Sequence, residues 1–159
     1  MCEIRGGLTG PLGDFRGYSP RWNVCGRFTL IMDIDSLQQR FSFKNGELTY
    51  KPRYNIAPTQ PVLTVVNNGI NQAEFMRWGL VPSWAKDISV GARMINARSE
   101  TVAEKSSFKG ALRQRRCLVL ANGFYEWQRK GKAKIPMYIS LESGHSFAMA
   151  GLWETWKDP

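Results

Sequence analysis

Turn signals constrain this chain more than any single residue does. Lys44-Asn45-Gly46, Asn68-Gly69, Asn122-Gly123 and Lys130-Gly131-Lys132 cut it into short apolar runs. Asn-Gly beside apolar residues is a strong hairpin signal, because Gly takes positive φ without penalty and Asn tolerates it. The runs at 26–31, 62–66, 74–78, 117–120, 124–128, 135–141 and 147–153 read as strands. Two stretches differ. Ile34, Leu37 and Phe41 recur at helical spacing behind Asp33 or Asp35, either of which can cap a helix. Ser106 or Ser107 is expected to open a second short helix carrying Phe108, Leu112 and the cations Arg113, Arg115 and Arg116. The segment Arg53-Tyr54-Asn55-Ile56-Ala57-Pro58-Thr59-Gln60-Pro61 is expected to be a rigid loop, since prolines fix φ and donate no ladder bond. Residues 78–84 form an aromatic loop. Together these predict an α+β, mainly β fold: an irregular barrel or sandwich of short antiparallel strands with short flanking helices.

With 159 residues the chain can bury the core of one domain. The 43% hydrophobic and 12% aromatic content excludes a disordered tail. Residues 1–24 read as a leader, with a Gly- and Pro-rich coil at 6–13, and residues 25–159 as the domain. The last strand runs so close to Pro159 that it predicts a partner strand beyond it. A formal net charge of +9 favours polyanionic partners, nucleic acid first.

Three cysteines, Cys2, Cys25 and Cys117, make no disulfide framework. Cys117 lies in the apolar run Cys117-Leu118-Val119-Leu120 and reads as a small core residue. No CxxC pair or His cluster suggests a metal, and no cofactor is expected. The only histidine, His145, sits in a turn-like stretch, which argues against a His-dependent triad. No run reaches transmembrane length and the leader lacks the apolar core of a signal peptide. The expectation is a monomer in a reducing cytoplasm, away from membranes.

Several residues can carry chemistry. Cys25 inside the chain offers a thiol alone, but as a first residue it also offers an amine, and the pair can trap an aldehyde as a thiazolidine. Val24 as the translation of a GTG start codon, or cleavage of the leader, would expose that amine; the alternative is a flexible extension and an ordinary internal Cys25. Strand alternation puts Phe124 and Glu126 on one face, Tyr125 and Trp127 on the other. A carboxylate among apolar neighbours has a raised pKa and can act as acid or base; the alternative is a solvated Glu126 on the outer face. Asn96 offers a donor and an acceptor, and Arg98 matches phosphate geometry, though the same stretch also fits a turn or helix cap. Trp78, Trp84 and Trp127 could stack on bases or fill the core. Arg113, Arg115, Arg116, Lys130, Lys132 and Lys134 are phosphate candidates, or a solvated face.

Six motifs then occur in order. They are Cys25-Gly26-Arg27-Phe28, Arg53-Tyr54-Asn55-Ile56-Ala57-Pro58, Trp78-Gly79-Leu80-Val81-Pro82-Ser83-Trp84, Ile95-Asn96-Ala97-Arg98-Ser99-Glu100-Thr101, the run from Arg116 through Asn122-Gly123-Phe124-Tyr125-Glu126-Trp127, and Ala150-Gly151-Leu152-Trp153-Glu154. This series resembles the SOS response-associated peptidase (SRAP) family, whose members protect abasic sites in single-stranded DNA. The resemblance implies that Cys25, as an N-terminal residue, forms a thiazolidine crosslink with the ring-opened sugar. It implies catalytic roles for Asn96 at the reacting centre and for Glu126 as proton shuttle. It implies DNA contacts for Arg27, Pro58, Trp84, Arg98 and Trp127. The family cysteine stands at position two, whereas here 24 residues precede it. The family's later histidine has no match in His145. A peptidase with Cys25 as nucleophile and a non-catalytic single-strand binder are the alternatives.

Overall fold

The computed structural model describes residues 26–158. Its elements are β1 (Arg27–Leu30), α1 (Ile34–Phe41), β2 (Arg53–Ile56), β3 (Pro61–Asn67), β4 (Asn71–Arg77), a 3-10 helix (Ile88–Arg93), α2 (Ser106–Gln114), β5 (Arg116–Ala121), β6 (Gly123–Lys130), β7 (Ala133–Ser140) and β8 (Phe147–Leu152). The strands form two four-stranded antiparallel sheets, in the orders β2-β1-β6-β7 and β4-β3-β5-β8. The expected mainly β sandwich with short helices is borne out.

The core lies where the two sheets and α1 meet. Phe28 and Leu30 of β1, Leu37 of α1, Ile56 of β2, Leu63 and Val65 of β3 and Leu120 of β5 are all buried in one cluster. Each such side chain removed from water contributes roughly 1.5–3 kcal/mol before conformational entropy is charged against it. The helix α1 places Leu37 by its cap. Asp33, not Asp35, accepts from the Ser36 N–H at 2.8 Å and from the Ser36 hydroxyl at 2.8 Å. The Ser36 N–H, then its hydroxyl, hold the Asp33 carboxyl below the usual carboxylate value. At the other end Ser42 turns left-handed at φ 49° and closes the helix on the Gln38 carbonyl.

Two local expectations are corrected. Residues 53–56 are a strand rather than part of a rigid loop. The prolines at 58 and 61 fall after that strand and at the first residue of β3, where a missing N–H interrupts no ladder. The helix α2 is not capped by Ser106 or Ser107. Lys105 occupies the cap position without a side-chain bond, and the chain enters from a preceding turn in which the Lys105 N–H donates to the Thr101 carbonyl at 3.1 Å. The hairpin expected at Asn68-Gly69 is present: β3 pairs antiparallel with β4 across a three-residue loop, 68–70. Of the Asn68-Gly69 pair only Gly69 takes positive φ, at 92°.

The chain passes between the sheets three times, from β2 to β3, from β5 to β6 and from β7 to β8, and the middle passage is the shortest. β5 ends at Ala121 and β6 begins at Gly123, so Asn122 alone makes that crossing. It is 5% exposed. Its N–H donates to the Thr29 carbonyl at 2.8 Å. Its side-chain oxygen accepts from Ile31 N–H at 2.7 Å and Met32 N–H at 3.3 Å, where β1 runs out of sheet partners. Gly123 follows because nothing larger fits: a Cβ there would overlap the Tyr138 ring and lie 2.8 Å from the Ile139 carbonyl.

This corner makes a prediction. Asn122→Ala leaves the part-buried N–H groups of Ile31 and Met32, just past β1, without this acceptor and should cost about 1–3 kcal/mol. The exposed hairpin residue changed in Asn68→Ala should cost no more than about 0.5 kcal/mol. Urea denaturation of both variants checks this, and equal losses would remove the special role of Asn122.

Candidate functional site

The site is assembled from loops that both sheets hold in place. At the end of β4, Trp78 is half-buried, and its ring meets Phe28 of β1 edge-on at 5.2 Å between centroids. Its indole N–H donates to the Ile95 carbonyl at 2.8 Å. Trp78 is therefore a pin between β1 and the Asn96 loop, rather than a stacking platform. Its backbone is fixed too, by the Gln60 carbonyl at 2.9 Å and the Thr59 N–H at 2.8 Å.

Beyond Trp78 the backbones of Gly79 and Gly91 press together. A Cβ on Gly79, whose φ is +129°, would run into the Gly91 carbonyl, and one on Gly91 would lie 2.8 Å from the Gly79 carbonyl. This approach brings the 3-10 helix against the Trp78 loop, and the Leu80 N–H to the Met94 carbonyl at 3.1 Å follows from it. Sequence reading missed this glycine pair. Its only signal was a second glycine in the loop that follows the aromatic motif.

Asn96 then lies half-buried on the wall of a cavity of about 410 Å³ over the β4-β3-β5-β8 sheet. Thr64 and Glu74 line its floor, and Trp153 and Trp156 its edge. Trp156 is tied down by its indole N–H to the Ala85 carbonyl at 2.7 Å.

Glu126 does not line that cavity. It sits on β6 two residues beyond Phe124, on the inward face that Phe28 and Phe124 share, as strand alternation predicted. It is half-buried. Burial pushes its carboxyl up from the ordinary value, against the opposing pull of the Trp127 backbone N–H.

Arg27 and Trp127 share the outward face of the same sheet, opposite Glu126. The register sets Arg27 directly opposite Tyr125, with Trp127 two residues further along β6 on the same face. Arg27 donates to the Asn55 side-chain oxygen at 2.9 Å. Tyr125 and Tyr138 pack at 5.2 Å between ring centroids on this face. The Tyr138 hydroxyl shares a 2.9 Å hydrogen bond with the hydroxyl of the buried Thr29.

The other candidates are spread over loops. Trp84 is 66% exposed. Pro58 lies in the turn between β2 and β3, and Arg98 is exposed where the chain leaves the Asn96 segment. Arg115 is corrected as a phosphate candidate: its guanidinium is paired with Glu154 at 2.6 Å in a largely buried position. Cys117 is buried as expected, and loss of hydration pushes its thiol up to about 11. His145 is in an exposed turn. Cys25 and residues 1–24 lie outside the described residues. Among the described residues no group of three or more His, Cys, Asp or Glu could hold a metal, and no helix is long and apolar enough to cross a membrane.

Comparison with known proteins sets this arrangement in context. The family model described as SOS response associated peptidase (SRAP) matches residues 24–159. The chain is 48% identical over 140 residues to abasic site processing protein YoqW of Bacillus subtilis, covering 86% of this chain and 62% of that protein. It is 35% identical over 178 residues to abasic site processing protein HMCES of Gallus gallus, covering 86% of this chain and 53% of that one. Among solved structures, a protein from Bacteroides thetaiotaomicron superposes with a TM-score of 0.75 at 23% identity, over 84% of this chain and 62% of that one, and so supports the fold. A phage-related protein from Bordetella bronchiseptica gives a TM-score of 0.64 at 30% identity, over 80% and 60%. The chain thus spans less than two thirds of the length of each of these relatives. With six motifs in order, two sheets joined at Asn122 and a match over nearly the whole described region, this chain belongs to the SOS response associated peptidase (SRAP) family.

Proposed function

We propose that the chain processes abasic sites in single-stranded DNA, forming a covalent thiazolidine crosslink through Cys25 as its first residue. The observation that carries this is the β1–β6 register, in which Arg27 pairs with Tyr125 and Phe28 with Phe124. Continued one step beyond Arg27, that register would set Gly26 level with Glu126. Cys25 is bonded to Gly26, so a chain starting at Cys25 would offer its amine and thiol about one residue, ~3.8 Å along the backbone, from that level. The names of YoqW and HMCES and the net charge of +9 point the same way.

The chemistry balances with one water lost. The Cys25 amine, with a pKa of about 7.7–8.0 in an ordinary N-terminus, condenses with the sugar aldehyde to an imine. The thiol then adds across the C=N bond, its proton passing to nitrogen, and the five-membered ring closes. Glu126 keeps its proton to higher pH than an ordinary glutamate and so suits the proton transfers of ring opening, condensation and reversal. Asn96 hydrogen-bonds at the reacting centre. Arg27 and Arg98 hold phosphates, while Pro58, Trp84 and Trp127 contact the strand and its bases. The protein works as a monomer in the cytoplasm, without a cofactor.

Three measurements test this reading. Protein beginning at Cys25, incubated with a single-stranded oligonucleotide holding one abasic site, should give a shifted band on a denaturing gel, and the full chain should not. No shifted band from either would overturn the crosslinking reading and leave a peptidase or a plain binder. In the Cys25-first protein, Glu126→Gln should slow crosslink formation by about 100-fold, the usual scale of a lost acid–base group. The same substitution has a stability signature. A carboxyl raised by burial is neutral in both folded and unfolded chains at low pH, and its ionisation opposes folding once pH passes the ordinary glutamate value. Glu126→Gln should therefore melt higher than the parent at pH 7, with the gap closing as pH falls below about 4. A gap independent of pH would show that burial does not perturb Glu126.

A further inference from the structure

The far half of the β6–β7 hairpin extends past the sandwich. The residues at 127–138 are all exposed, on both faces of the ribbon. It carries Arg129, Lys130, Lys132 and Lys134 and no carboxylate between Trp127 and Leu141. Among the described residues none of these four cations has an ion-pair partner. The register Arg129↔Lys134, Trp127↔Pro136 and Tyr125↔Tyr138 arranges one face as a gradient. Aromatic rings stand at the base, with Trp127 43% and Tyr138 47% exposed, and cations stand toward the tip. Arg27 joins the aromatic end across the sheet. Four uncompensated charges on a narrow ribbon would repel one another unless a polyanion covered them. Exposed rings on the same face favour unstacked bases over a smooth duplex surface.

We propose that this hairpin is a second contact for single-stranded DNA, binding the sugar-phosphate backbone that flanks the reacting nucleotide whether or not a lesion is present. The inference rests on the DNA reading above, but not on its covalent step. The four cations set the salt dependence of binding, while Trp127 and Tyr138 supply sequence-tolerant stacking.

The test uses the full chain and an intact oligo-dT strand, with affinity followed by fluorescence anisotropy across a salt series. Replacing Arg129, Lys130, Lys132 and Lys134 by Gln should lower the slope of log affinity against log salt by about 2–3, at roughly 0.7 per phosphate contact released. Affinity at low salt should fall at least tenfold. Lys130→Gln with Lys132→Gln should give about half the slope change, and circular dichroism checks that both variants fold. A control with Lys44, Lys51, Lys86 and Lys109 changed to Gln removes the same charge elsewhere and should leave most of the slope. An unchanged slope in the hairpin variant, or an equal fall in the control, overturns the inference; so does a loss confined to a duplex of equal length. Intact DNA has no aldehyde, so a slope change without any crosslink from Cys25-first protein would sink the abasic chemistry alone. A crosslink with an unchanged slope would sink the hairpin contact alone.

Discussion

Asn122 satisfies two sets of needs at once, and the placement of both halves of the site follows from it. A chain leaving one sheet for another must break its ladder, and broken ladders strand N–H groups in the interior. Here the break falls on a side chain whose oxygen takes the two N–H groups at the end of β1, while its own N–H returns to Thr29. The corner is tight enough that β6 starts pairing with β1 at Gly123. That register brings Glu126 to the inward face at the open end of the sheet, and Arg27 to the outward face beside Tyr125.

The second sheet contributes its part through Trp78. The indole is held on one side by the Phe28 ring and on the other by a hydrogen bond to Ile95. Such edge-on pairs contribute about 0.5–1.5 kcal/mol beyond the area they bury. The contact links β1, which approaches Glu126, to the loop that carries Asn96. The Gly79–Gly91 approach makes the linkage possible, since any side chain there would push the 3-10 helix outward.

Much of this was legible in the residues. The strands of both sheets declare themselves by apolar runs between Asn-Gly and Lys-Gly turns, and the opposite facing of Glu126 and Trp127 follows from alternation alone. What escaped detection is what depends on contacts distant in sequence. β2 is four residues long, lies at the edge and is bulged against β1, so its proline neighbours dominated the local pattern. Lys105 begins α2 because an upstream turn feeds it, which no capping rule records. Arg115 reads in the sequence as one of several free cations, because its partner Glu154 lies 39 residues away. The grouping of Asn96 with a cavity wall needed the glycine approach, which has no one-dimensional signature. Cys25, the residue on which the proposed chemistry turns, is supported by its motif and its bond to Gly26.

The burial of Cys117 bears on how the chain meets electrophiles. Its sulfur is packed so closely against Gly151 that a Cβ there would come within 2.6 Å. With its thiol pushed to about 11, almost none is thiolate at neutral pH. The thiolate is the species that attacks alkylating reagents, peroxides and disulfides, so the folded domain slows all three at this position. Because Cys117 also lines the cavity that Asn96 walls, its inertness toward such reagents rests on the scarcity of thiolate rather than on enclosure.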